Sequence, residues 1–146
     1  MRFLFFIKIT LILLISSLFC TEAQSKEILV PNKEKYQAIV LGEIIKSKIK
    51  KIETYYITEY RLKTKEWILK NPSVKKSKYL TIKVLGADLP EKGIIIKAST
   101  TPDYIPIKKE AIFFLENLKK KKKNVFTISK TGILPGNKLK ELKEEI

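Results

Sequence analysis

Residues 38–45 read Ala-Ile-Val-Leu-Gly-Glu-Ile-Ile, a β-branched run that opens with four apolar positions in a row. Such a run predicts a strand buried on both faces where it begins. It continues as Lys46-Ser47-Lys48-Ile49-Lys50-Lys51, a basic tip. Farther on, Tyr56, Thr58, Tyr60, Leu62 and Thr64 alternate with Ile57, Glu59, Arg61, Lys63 and Lys65. Period two with one wet face predicts a half-buried strand. Trp67-Ile68-Leu69 breaks the alternation and predicts a bulge or the strand's final turn. Asn71-Pro72-Ser73 predicts a turn, because Pro presets φ and Asn tolerates left-handed geometry.

Leu80, Ile82 and Val84 alternate with Thr81 and Lys83 in a third strand, which Gly86 is expected to close. Gly93 opens the short run Ile94-Ile95-Ile96, bounded by Ser99-Thr100-Thr101-Pro102. Ala111-Ile112-Phe113-Phe114-Leu115 is the most apolar stretch after the N-terminal segment and predicts a central strand. A basic loop over residues 117–123 leads to Val125-Phe126-Thr127-Ile128, expected to return antiparallel to it. Gly132, Pro135 and Gly136 forbid a long final strand, and Asn137 is placed to cap a short, mostly charged helix over residues 138–145. About six short strands and little helix predict a mainly β fold, a small antiparallel barrel or sandwich. One domain is expected over residues 36–136, with the helix inside 137–146.

The N-terminus follows a different pattern. Residues 9–19 are apolar apart from Thr10, Ser16 and Ser17; Arg2 and Lys8 supply positive charge, and no acidic residue precedes Glu22. The apolar core is shorter than the ~20 residues that span a bilayer. A basic start, a short apolar core and the small-residue exit at Thr21-Glu22-Ala23 predict a cleaved export signal over residues 1–23. A polar tether follows over residues 24–35. The other reading is an uncut N-terminal anchor. Cys20, the chain's one cysteine, ends the apolar core, where a bacterial lipoprotein carries its acylated cysteine. Ser17 and Phe19 fit that signal poorly, and the plainer reading makes Cys20 one more apolar residue of the core.

Composition then narrows the chemistry. The chain holds 30 Lys+Arg, 15 Asp+Glu and no histidine. Removing residues 1–23, with Arg2, Lys8 and Glu22, leaves 28 basic against 14 acidic residues and no cysteine. Disulfides and cysteine-type zinc are excluded from that mature chain, and the commonest general base is missing. No cofactor or metal is expected. The positive field attracts polyanions and anionic surfaces. Almost all the cations are lysine, however; Arg61 is the one arginine of the mature chain, and specific phosphate readers favour arginine.

The motif order resembles a loosely defined group of small exported bacterial domains built as OB-like β-barrels, with no assigned activity. The resembling pieces are Ala38-Ile39-Val40-Leu41-Gly42-Glu43-Ile44, Trp67-Ile68-Leu69-Lys70-Asn71, Leu80-Thr81-Ile82-Lys83-Val84-Leu85-Gly86 and Glu110-Ala111-Ile112-Phe113-Phe114-Leu115. They fall within residues 36–129. Asn71 and Lys109 stand where the group carries glycine. The resemblance implies an OB-like barrel in an exported setting and transfers no catalytic residue. Netrin-like inhibitors share such barrels but depend on disulfides, so they show only that the architecture can bind proteins.

The nine carboxylates Glu43, Glu53, Glu59, Glu66, Asp88, Glu91, Asp103, Glu110 and Glu116 would serve a glycan hydrolase only if two faced each other across a cleft. Ser47-Lys48-Ile49-Lys50 and Ser73-Val74-Lys75-Lys76 match Ser-x-x-Lys formally, without a strand-to-helix elbow. The glycines are scattered and form no phosphate loop. The conspicuous patch is Lys119, Lys120, Lys121, Lys122 and Lys123, read either as an anion-contacting site or as a solvated hairpin tip. Tyr55, Tyr56, Tyr60 and Trp67 invite a base-stacking reading, but Tyr56 and Tyr60 share their strand face with Leu62, which favours core. The expectation is an exported, non-catalytic binding or structural module. It would present the basic tips at residues 46–51, 75–78 and 119–123 to an anionic envelope surface or another envelope protein. The alternatives are a carboxylate-dependent hydrolase and an OB-like nucleic-acid binder, the latter disfavoured by export.

Overall fold

The computed structural model describes residues 35–117 and 124–146. The expected export signal with Cys20, the tether up to residue 34 and the lysine run 119–123 lie outside the described residues. In chain order the elements are β1 (Ala38–Ile52), β2 (Tyr55–Lys70), β3 (Tyr79–Leu89), β4 (Ile94–Lys97), β5 (Glu110–Asn117), β6 (Val125–Thr127), β7 (Ile133–Pro135) and one helix, α1 (Leu139–Glu145). The fold is mainly β, as expected, with its seven strands in one mixed sheet.

Residues 53 and 54 close the β1–β2 hairpin, with Glu53 in the left-handed region at φ 49°. Two-residue connections of this kind match the twist of the strands they join. β1 also pairs antiparallel with β5, from Ala38↔Leu115 to Glu43↔Glu110. The β1–β2 ladder shifts register between Ile39 and Val40, between Leu41 and Gly42, and between Ile44 and Lys46. Opposite the first shift Ile68 is the extra residue, which is the bulge expected from Trp67-Ile68-Leu69. Each bulge bends its strand and sharpens the twist, so β1 can leave β5 and run on with β2 alone.

Two apolar clusters account for the runs without alternation. Ala38, Val40 and Ile44 join Ala111, Phe113 and Leu115, Leu62, Leu80, Ile82, Val84 and Phe126 in the main core. Their neighbours Ile39, Leu41, Ile112 and Phe114 point the other way, into a second cluster with Tyr36 and Leu142 of α1. Leu142 is fully buried, and Tyr36 meets Phe114 edge-on at 5.2 Å between ring centroids. The helix is therefore the cover that lets β1 and β5 be apolar on both faces.

Four expectations need correction. The sheet is not wholly antiparallel: β6 is antiparallel to β5 but parallel to β3, through Thr81↔Val125 and Ile82↔Phe126. Asn124 turns the chain into β6 from the left-handed region, φ 61°, and its carbonyl accepts from the Thr81 N–H at 3.2 Å. A seventh strand exists, β7, pairing with β5 at Ala111, Ile112 and Phe113. β3 does not stop at Gly86; at φ 114° this glycine lets the strand turn and continue to Leu89, pairing with β4. Asn137 does not cap the helix, which is preceded by a 3-10 turn over Gly136–Lys138 and has Lys138 at its N-cap with no side-chain hydrogen bond.

Gly42 lies at the second register shift and pairs with Thr64 on one side and Ala111 on the other. A Cβ there would stand 2.6 Å from the Lys63 carbonyl oxygen and 2.9 Å from Leu62 Cδ1. The strand cannot retreat from one neighbour without pressing on the other. Gly42→Ala should therefore lower stability by roughly 1–3 kcal/mol, read as a lower midpoint in urea unfolding; an unchanged midpoint would contradict this packing.

Candidate functional site

Residues directly opposite in a ladder share a face, and successive residues alternate. The ladders β1–β2 and β2–β3 include Lys46↔Arg61, Lys48↔Glu59, Glu59↔Lys83, Arg61↔Thr81 and Lys63↔Tyr79. One face thus gathers Lys46, Lys48 and Lys50 from β1, Glu59, Arg61 and Lys63 from β2, and Tyr79, Thr81 and Lys83 from β3. The opposite face carries Tyr60, Leu62, Leu80, Ile82 and Val84 toward the core.

On the basic face the acidic members are Glu43, opposite Lys63 in the β1–β2 ladder, and Glu59, which is fully engaged. Its carboxylate accepts from Lys50 Nζ and from Lys83 Nζ, each at 2.7 Å. The bond from Lys50, then that from Lys83, hold the Glu59 carboxyl below its ordinary range. Lys46, Lys48, Arg61 and Lys63 have no carboxylate partner among the described residues. Beside them the Arg61 guanidinium carbon lies 4.4 Å from the Tyr79 ring centroid, and Lys78 Nζ lies 5.7 Å from the same ring. Stacking on an aromatic face fixes the guanidinium plane while leaving its edge N–H groups to donate. A shallow cleft of about 410 Å³ opens here, lined by Lys46, Lys48, Glu59, Arg61, Tyr79 and Thr81 among others. A planar, preoriented cation with lysines beside it suits phosphate and carboxylate recognition.

A second cleft, of about 450 Å³, lies across the sheet. Its walls are Ile49 of β1, Tyr60 of β2, residues 84–88 of β3, β4, and the segment 101–107. That segment is tied down by Lys108 N–H donating to the Ile44 carbonyl at 2.9 Å and by Thr101 Oγ1 donating to the Leu85 carbonyl at 2.7 Å. Burial pushes the Tyr60 phenol up, with Asp88 adding to the effect.

The candidate residues sort as follows. The basic stretch 46–51 lies on β1, with Lys46, Lys48 and Lys50 on the cationic face. Lys75, Lys76 and Lys78 are exposed on the connection between β2 and β3. Tyr60 packs against the main core, as the face it shares with Leu62 implied, and so does Trp67; Tyr56 is half-buried outside that cluster, and Tyr55 is exposed. Among the carboxylates, Glu59 pairs as above, Glu110 accepts from Lys65 at 2.6 Å, Glu66 from Lys143 at 2.6 Å and Glu116 from Lys35 at 2.9 Å. Asp88 and Asp103 do line one cleft, but both are exposed, and Asp103 faces Lys130 at 3.6 Å. Ser73 Oγ donates to Asn71 Oδ1 at 2.8 Å, a turn bond, and Ser47 sits within β1. No group of three potential metal-ligating side chains occurs among the described residues. Tyr79 was missed by the sequence reading, although it has the parity of Thr81 and Lys83 and so belongs to their wet face. No protein-family model matches the chain, and no curated protein matches it.

Because the folded state holds Glu59 below its ordinary value near 4.5, its ion pairs contribute fully above that pH. Their contribution is lost as pH falls through the depressed value. Thermal unfolding between pH 7 and pH 3 should show the wild type losing stability on the acid side. Glu59→Gln should start lower at pH 7 and fall less steeply. Parallel curves would show that Glu59 is not held by Lys50 and Lys83.

Proposed function

We propose that this chain is an exported, non-catalytic binding module, an OB-like β-barrel that holds a polyanionic surface of the cell envelope against the outer face of β1, β2 and β3. The observation that carries the reading is the set Lys46, Lys48, Arg61 and Lys63, cations without a carboxylate partner among the described residues, gathered around the guanidinium stacked on Tyr79. The barrel reading is supported by the circuit of pairings, which runs β1 to β2, β3, β6 and β5 and returns to β1. In OB folds the face of strands 2 and 3 is the one that takes ligands, which agrees with the position of Arg61 and Tyr79. Export rests on the pattern of residues 1–23, and acylation at Cys20 would add an anchor to the same surface. Residues 119–123 strengthen the field that draws an anionic partner in. A non-catalytic role fits the engagement of Glu59, Glu66, Glu110 and Glu116 by lysines.

The test is sedimentation of the protein with vesicles containing phosphatidylglycerol, at several salt concentrations. With about 1 kcal/mol from each cation near an anionic surface, the combined change Lys46→Gln, Lys48→Gln and Arg61→Gln should weaken binding roughly 100-fold and flatten its salt dependence. Unchanged binding in that variant would overturn the reading. Tighter binding to a single-stranded oligonucleotide than to the vesicles would move the proposal to nucleic acid.

A further inference from the structure

β4 is a four-residue strand that pairs with β3 on one side only. Three of its residues are exposed isoleucines: Ile94, Ile95 and Ile96, with Ile95 at 65 %. Natural edge strands are blunted by charge, proline or cover. Here Lys97 is the strand's only charged residue. The backbone direction can be read from Gly86, where a Cβ would collide with the Ile96 carbonyl oxygen. That carbonyl therefore points at β3. In an antiparallel strand the N–H and C=O of one residue point to the same side and those of its neighbours to the other. Ile95 and Lys97 thus turn their N–H and C=O groups to the open edge, and no backbone partner for them is found among the described residues.

We propose that the open edge of β4 is a strand-addition site for an extended peptide segment of a partner protein, apolar at alternate positions and acidic at its flanks. Three observations set that occupant. A row of backbone donors and acceptors is satisfied by another backbone, whereas a lipid chain would leave it unpaired. Ile95 on the strand and Tyr104 and Ile107 (66 % and 46 % exposed) line the adjoining cleft and offer apolar contact to the alternate side chains of an added strand. The chain carries a formal charge of +15, so its long-range field attracts an acidic segment and repels a second copy of itself, and the acidic residues of that segment fall at its flanks, away from Asp88 and Asp103 in the cleft. The site is separate from the basic face, and Arg61 takes no part in it.

The probe is the synthetic peptide Glu-Asp-Val-Thr-Val-Thr-Val-Glu-Asp, titrated into the full chain. Binding should slow exchange of the Ile95 and Lys97 amide protons. Ile95→Pro removes an outward N–H and leaves the Ile96 bonds to β3 intact, as proline is tolerated on edges; it should weaken binding at least 10-fold. Arg61→Gln should leave it within 2-fold. The same peptide N-methylated at alternate residues should not bind. Equal binding of the methylated peptide, no binding of the parent peptide, or unchanged exchange at Ile95 and Lys97 in the wild type would each overturn the proposal. So would a dimer in sedimentation that Ile95→Pro dissolves, since a second copy would then be the occupant.

Discussion

Six residues of β1, 38–43, lie alongside six of β5, 110–115, and in that short ladder nearly every side chain is buried. Odd and even positions feed different clusters. Val40 and Phe113 go inward with Leu62, Leu80 and Phe126, while Ile39 and Phe114 go outward beneath Leu142. Burial of a large apolar side chain is worth about 1.5–3 kcal/mol, so this two-sided ladder is where the chain gathers its largest stabilisation. The rest of the architecture answers to it. β1 must bend away from β5 after residue 43, and Gly42 with the register shifts around it permits the bend. Ile44 is the last buried residue of β1; beyond it the strand has no core to fill, and its sequence turns to lysine.

That change of role along one strand links fold to site. Residues 46–51 extend past the two-sided ladder with β2 alone as partner, and the long hairpin with β3 makes a platform whose outward positions are free to be charged. Within the platform Glu59 clamps Lys50 and Lys83, fixing two cations by neutralising them. Lys46, Lys48 and Arg61 have no carboxylate partner among the described residues. The edge strand β4 pairs with the far end of β3, past this platform, and offers backbone groups and isoleucines in place of charge.

The parts of this that were legible in the sequence are those that local pattern dictates. The apolar runs 38–41 and 111–115, the alternation through Leu62 and Leu80, and the turn at Asn71 all follow from period and turn chemistry. Tertiary choices were not legible. The parallel partnership of Val125 and Phe126 with β3 depends on Asn124 adopting a left-handed φ, which its identity permits but does not require. Gly86 reads equally well as a strand end or as a hinge within a strand. β7 is three residues ending in Pro135, too short for any period, and exists because β5 has an edge to fill. Arg61 stood out as the lone arginine of the mature chain, yet its stacking on Tyr79 needed the β2–β3 register, which pattern alone does not supply. The lysine run 119–123, most conspicuous in sequence, lies outside the described residues.

Native-state hydrogen exchange followed by NMR tests most directly whether the β1–β5 ladder is what the structure depends on. The account predicts that amides of Val40, Leu41, Ile112 and Phe113 exchange only through global unfolding and are the slowest in the molecule. The outward amides of β4 and those near residues 53 and 54 should exchange orders of magnitude faster by local opening. Faster exchange in residues 38–43 and 110–115 than in the hairpin beyond Lys46 would contradict it.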